Sequence, residues 1–458
     1  MHRTLVLNVV GLTPELLGPD TPNLSRLAAQ GAMQPLRTIT PAVTCSVQAT
    51  LTTGTLPREH GIVANGWYFR DLAEVWLWRQ SNHLVTGESI WDAAKLRDPS
   101  FTCAKLFFWY NMYSSADYSV TPRPMYLADG RKLPDVYSHP PELRDALQQR
   151  FGQFPLFNFW GPNSNIVSTQ WIGRCAQYVY DTHRPTLTLV YLPHLDYGLQ
   201  KLGPQHSEIP KQLREVDAVC GELIDHVSKD GTRVIVCSEY GITEVSGPVH
   251  INRVLREAGL LRVREERGTE LLDAGASEAF AVSDHQLAHV YVKHKERIAE
   301  VKALLESVDG VEQVLDDSGK RSYGLDHPRS GELVALSRAD RWFTYYHWLD
   351  DARAPDYART IAIHSKPGYD PAELFIDPAL SAPKLRIGLK LLKKALGFRM
   401  LMDVIPLDAT LVRGSHGRVT DRPEQGPLCM SSEPGLMPQA PIDATAFKSL
   451  VLSHVFGG

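Results

Sequence analysis

The sequence predicts an α/β fold: a mainly parallel central sheet flanked by helices, with a smaller α+β insert. Three observations predict it. Leu5–Val10, Thr186–Leu192 and Thr232–Cys237 are near-continuous aliphatic runs without polar alternation, as in strands covered on both faces. Stretches of helical period, such as Gln212–Val227, separate such runs. Thr44, Asp196 and Glu239 fall just past predicted strand ends, where ligands of open parallel sheets bind.

A chain of 458 residues is long for one core but ordinary for an α/β enzyme with a cap. Its hydrophobic fraction of 43% is that of a globular protein, and a net charge of -4 excludes nucleic acid as a bulk partner. Six cysteines, none in a Cys-x-x-Cys pair, argue against a zinc ribbon or disulfide scaffold and favour a reducing compartment. The apolar run Thr4–Val10 is too short for a secretory core or a bilayer span. The cytoplasm is therefore the expected compartment, with no transmembrane segment. Composition leaves the oligomeric state open.

In chain order, the Leu5–Val10 strand stops at Gly11, and Asp20–Gly31 reads as a helix with a proline start and a glycine stop. Thr44 closes an apolar approach (Pro41, Ala42, Val43) and opens a run of small residues that ends at Gly54. A hydroxyl at a helix start meets unpaired N–H groups and the positive dipole end, a place suited to an anion as well as to simple capping. Trp91–Lys95 and Lys105–Tyr110 read as a helix and the next strand. Residues 112–165, rich in Tyr, Pro and Asn, read as an irregular excursion over one sheet edge.

Further on, His250–Leu261 is helical, and Ala279–Val292 is strand, polar turn, strand. The insert is set at 261–345, with a helix at 296–307 and short strands near Gln313 and 332–336; residues 1–260 and 346–458 form the main unit. Pro383–Leu401 is a basic amphipathic helix, read as a solvated face with membrane-surface contact as the alternative. The last 30 residues are expected to be Pro-rich and then helical, draped on the sheet.

The motifs are specific enough to carry a resemblance. Thr44, Thr53-Gly54, Pro57, His60-Gly61-Ile62 and Asn65 keep the spacing of the nucleophile region of the alkaline phosphatase superfamily. The chain resembles its nucleotide pyrophosphatase/phosphodiesterase branch, and phosphonoacetate hydrolase as well. The resemblance implies an alkaline-phosphatase-like fold, Thr44 as a metal-bound nucleophile, and two divalent ions about 4 Å apart.

Several ligand positions depart from that pattern. The first strand ends Val10-Gly11 where the family has Asp-Gly, with Asn8 two residues earlier. Asp196 is kept, but Gln200 stands where a histidine belongs, and Ser238-Glu239-Tyr240-Gly241 replaces Ser-Asp-His-Gly. Arg413-Gly-Ser-His416-Gly417 retains the late His-Gly. The expected metal ligands are Asp196, Glu239 and His416, with Asp284, His285, His364 and Asp370 as replacements; Gln48, Asn65, Gln200 and Tyr240 are expected to face substrate. Oxygen donors in place of imidazoles move the preference from zinc toward manganese, magnesium or iron. Cys45 is a rival nucleophile with no His–acid partner at a legible spacing.

The implied function is metal-dependent hydrolysis of a phosphodiester, phosphomonoester or phosphonate of a small metabolite. The alternative is a catalytically silent relative that binds a phosphorylated or isoprenoid-like metabolite.

Overall fold

The computed structural model describes residues 1–457. Its centre is a nine-stranded sheet in the order Ile442–Asp443, Ala32–Arg37, Leu428–Ser431, Arg233–Cys237, Thr4–Val9, Leu187–Leu192, Cys103–Leu106, Tyr118–Pro122, Val136–His139. Thr4–Val9 lies in the middle, parallel to both neighbours. All six of its residues are buried, as its unbroken aliphatic pattern requires. Burying one such Leu or Val side chain is worth about 1.5–3 kcal/mol. Helices Pro22–Gln30, Ile166–His183 and Ile209–Ser228 supply apolar side chains to the same core.

Two parts of the sheet differ from expectation. Residues 112–165 are no mere excursion: Tyr118–Pro122 pairs in parallel with Cys103–Leu106, and Val136–His139 closes that edge antiparallel. Both strands are short, five and four residues, so too little of a period of two develops to be read. The C-terminal tail also does more than drape. Leu428–Ser431, fully buried, runs antiparallel between Arg233–Cys237 and Ala32–Arg37. Four residues beside a Pro-rich stretch carry too little pattern to be read as a central strand.

A second, antiparallel sheet runs Ala279–Asp284, Leu287–Val292, Leu333–Ser337, Val311–Leu315. Its apolar core reaches back to Val249, Ile251 and Leu255, upstream of residue 261. The turn His285-Gln286 joins its first two strands, and Gln286 N–H donates to the carbonyl of His416 at 2.8 Å. That contact sets the turn against the strand ends of the main sheet.

Candidate active site

Thr44 is the first residue of a ten-residue helix whose every residue is buried, and the helix stops at Gly54 in the left-handed region (φ 75°). Asp196 lies in the first turn of helix His194–Leu202, directly after the Leu187–Leu192 strand. Gln200, one helical turn on, shares its face and donates to Asp196 Oδ2 at 2.8 Å. Glu239 and Tyr240 follow the Arg233–Cys237 strand. Gly241 is required there, because a Cβ would lie 1.6 Å from the Gln425 carbonyl oxygen.

These elements converge on the Thr44 hydroxyl. Thr44 Oγ1 is 2.9 Å from the Tyr240 hydroxyl, which donates to Asp196 Oδ1 at 3.1 Å. Glu239 Oε1 accepts from Asn8 Nδ2 (2.6 Å) and Gln48 Nε2 (2.7 Å), and Gln48 Oε1 accepts from Trp109 N–H. Asn65 gives two N–H groups to Asp284 (2.8 and 3.0 Å) and accepts from Cys45 N–H.

The imidazoles form a column with two phenols. Tyr240 stacks on His416 (ring centroids 3.6 Å, planes 6° apart), His416 lies against His285 (3.7 Å, planes tilted by 36°) and His285 stacks on Tyr369 (3.7 Å). The Tyr369 hydroxyl then donates to Gln200 Oε1 at 2.9 Å, which closes the ring back to Asp196. His285 holds φ 60° in a two-residue hairpin turn, a conformation that favours Gly or Asn. Strain of this kind collects at functional positions.

Electrostatically the site is acid-rich. Burial pushes the Asp196 and Asp284 carboxyls up to about 7 and Glu239 up to about 8. Burial also drives His416 down to about 3 and His285 well below the usual imidazole value. Among the described residues no Lys or Arg bonds to any of the three carboxyls; their hydrogen-bond partners are amides, a phenol and a backbone N–H. His416 Nδ1 donates to the Ala42 carbonyl at 2.8 Å, so its Nε2 presents a lone pair, 3.8 Å from Asp196 Oδ1. Neither that Nε2 nor Glu239 Oε2 has a partner.

Two buried electron-pair donors left without a partner fit a cation. An imidazole oriented by a backbone carbonyl through its other nitrogen is how metal-binding histidines are usually held. The fit does not extend to the expected seven-residue set. Among the described residues, no group of three or more His, Cys, Asp or Glu side chains is arranged to hold a metal ion. Asp284 has both oxygens taken by Asn65.

His364 is half-buried and turned to the Leu77 carbonyl (3.4 Å). Asp370 pairs with Lys366 at 2.7 Å and caps the turn at Ala372, so it is a packing group rather than a ligand. The polar turn His364–Asp370 does reach the site, through Tyr369 between them. Gly368 permits this by letting its backbone approach Ser283, whose carbonyl accepts from Tyr369 N–H at 2.9 Å. No pattern in the sequence distinguishes that tyrosine from sixteen others.

Gln48, Asn65 and Gln200, expected to face substrate, each have both ends of the amide engaged by protein. They position carboxyls instead. Cys45 is buried, and burial lifts its thiol well above the usual value, which disfavours a thiolate nucleophile.

Helices on a mainly parallel sheet, with a hydroxyl, carboxyls and imidazoles gathered past its strand ends, define an alkaline-phosphatase-like α/β protein. The profile of the type I phosphodiesterase/nucleotide pyrophosphatase family matches residues 4–370, and the chain belongs to that family. It is 25% identical over 235 residues to an uncharacterised pyrophosphatase/phosphodiesterase of Schizosaccharomyces pombe; the match spans 49% of this chain and 41% of that protein. Two solved structures share the fold. Phosphonoacetate hydrolase of Sinorhizobium meliloti aligns at TM-score 0.63 and 16% identity, over 99% of this chain and 96% of that one. Murine ectonucleotide pyrophosphatase/phosphodiesterase 5 aligns at TM-score 0.58 and 13% identity, over 99% and 95%.

Proposed function

We propose that this chain hydrolyses a phosphodiester, phosphomonoester or phosphonate of a small metabolite, with Thr44 as the nucleophile. The observation that carries the reading is the hydrogen-bonded path from Thr44 through Tyr240 to Asp196. Tyr240 donates to Asp196, so its oxygen is free to accept the Thr44 proton. As Thr44 Oγ1 attacks phosphorus, its proton passes to Tyr240 and the phenol's own proton to Asp196. The leaving group departs, and water then cleaves the phospho-threonine. Asn8 and Gln48 keep Glu239 in place beside the reacting atoms, and the stacked rings hold His416 and Tyr240 rigid.

A divalent ion belongs to this reading. His416 Nε2 and Glu239 Oε2, the two site donors without a hydrogen-bond partner, would hold it, while Asp196, whose oxygens accept from Tyr240 and Gln200, serves as the proton acceptor; manganese or magnesium suits an oxygen-bearing set better than zinc. Bound there, such an ion offsets charge on the phosphoryl oxygens. The family match and the superfamily fold of phosphonoacetate hydrolase support the substrate class. Among the described residues no helix is long and apolar enough to cross a membrane, and the cytoplasm remains the compartment of this reading. Six buried, unpaired cysteines are in keeping with it.

A second reading, binding of a phosphorylated or isoprenoid-like metabolite without turnover, is favoured by the lack of a three-donor metal group among the described residues. The two are separated by turnover of bis(4-nitrophenyl) phosphate and 4-nitrophenyl phenylphosphonate with manganese, magnesium or zinc. Turnover that Thr44→Ala abolishes is the expected result. Turnover untouched by that change removes Thr44 from the reaction, and no turnover with any of the metals favours the binder.

A further inference from the structure

The helix Pro383–Ala395 sits on the protein with its apolar side facing solvent. Leu385, Leu389, Leu392 and Leu396 recur at spacings of four, three and four, one stripe along a helix. They are 64%, 52%, 55% and 66% exposed, and Phe398 just beyond is 65% exposed. No residue of the helix is buried.

This orientation is built in by the opposite side. Ile387, with Ile361, Leu380 and Met402, packs against Ala372, Val404 and Ile405. Arg386 pairs with Asp403 at 3.0 Å, and Lys390 pairs with the same carboxylate and donates to the Leu401 carbonyl. The helix is thus pinned by its mixed face while the leucines remain outside. Contiguous apolar stripes of this kind are rare on surfaces that meet only water.

Charge says what should cover the stripe. Residues 383–401 contain six basic side chains (Lys384, Arg386, Lys390, Lys393, Lys394, Arg399) and no acid, in a chain whose net charge is -4. Asp403 neutralises part of Arg386 and Lys390; Lys384, Lys393, Lys394 and Arg399 have no carboxylate partner among the described residues. Lys393 and Arg386 lie along one flank of the stripe, where long stems can lie on apolar surface and raise their charge to a polar layer. A second copy of the chain would set these positive charges against each other. At thirteen residues the helix is about 20 Å long, too short to span a bilayer and suited to lying in its interface.

We propose that Pro383–Leu401 is a docking surface for anionic phospholipid, with the leucine stripe seated in the headgroup–acyl boundary and the exposed, flanking Lys384 and Lys393 on lipid phosphates. It brings the protein to a bilayer without anchoring it permanently.

The test is flotation of the full-length protein with vesicles of phosphatidylcholine alone and of phosphatidylcholine mixed with phosphatidylglycerol, at low and high salt. The expected result is flotation on the mixed vesicles, weakened by salt and weaker by about tenfold or more in Leu389→Glu/Leu392→Glu and in Lys384→Glu/Lys393→Glu, whose four positions are all exposed. Both pairs are exposed, so their circular dichroism should match the parent. Absent flotation on the mixed vesicles overturns the proposal. So does equal flotation on neutral vesicles, or flotation that neither pair weakens. A parent dimer that Leu389→Glu/Leu392→Glu converts to monomer assigns the stripe to a second copy instead.

Discussion

Position 240 holds a phenol, and its two hydrogen bonds set what the site can do with a proton. Tyr240 bridges the Thr44 hydroxyl and the Asp196 carboxyl and also stacks flat on His416. Tyr240→Phe keeps the ring and removes the bridge. Its kcat on a nitrophenyl phosphodiester should fall by about 10²–10⁴-fold, the range of a lost proton-transfer group, with unchanged far-ultraviolet circular dichroism. His60, from the His60-Gly61-Ile62 motif, has a structural duty instead. Its Nδ1 accepts from Ile62 N–H, so Nε2 carries the proton and donates to Thr50 Oγ1 at 2.9 Å. Burial lowers its pKa from 6.5 to about 3. The unfolded chain therefore binds a proton that the folded one refuses. The contribution is present above pH 6.5 and is lost as the pH falls from there toward about 3. Denaturation of wild type and His60→Gln should show a stability gap at pH 8 that narrows steadily down that window; a gap of constant size would refute the assignment.

Among the elements, the turn from His364 to Leu374 shows how a loop reaches a reaction centre without lending it a charged group. Lys366 is buried between Asp370 (2.7 Å) and Glu373 (2.8 Å), and Trp160 donates to the same Glu373. This ion cluster braces the backbone that holds Tyr369 against His285. Lys366→Met leaves two carboxyls buried without a counter-charge and should cost about 3–5 kcal/mol in urea denaturation. It should also weaken the Tyr369–His285 stack. Gly and Pro fix a bend between His364 and Asp370, so composition alone makes both candidate ligands. Which side chain a bend points inward depends on what packs behind it, here Ser283 and Tyr345 against Gly368. Glu239 and Asp196 were legible for the opposite reason, because each directly follows a strongly patterned strand.

Across the whole molecule, the tail is part of the centre. Leu428–Ser431 joins Ala32–Arg37 to Arg233–Cys237, and Phe447–Phe456 adds Phe447, Leu450, Val451 and Val455 to the main core. A chain ended at residue 420 would leave both neighbouring strands with unpaired backbone groups inside the sheet. It should be recovered insoluble or without a cooperative thermal transition, although the family profile stops at residue 370. By itself the sequence determined the buried parallel strands, the helix start at Thr44 and the carboxyls beside it, because these depend on residues adjacent along the chain. Only the tertiary structure decided that Tyr240, His416, His285 and Tyr369 stack in one column and that Gln200 is shared between Asp196 and Tyr369. Gln200 and Tyr369 lie 169 residues apart, and Asn8 and Glu239 are 231 apart. Contacts over such distances are set by sheet register and packing, which no local pattern encodes.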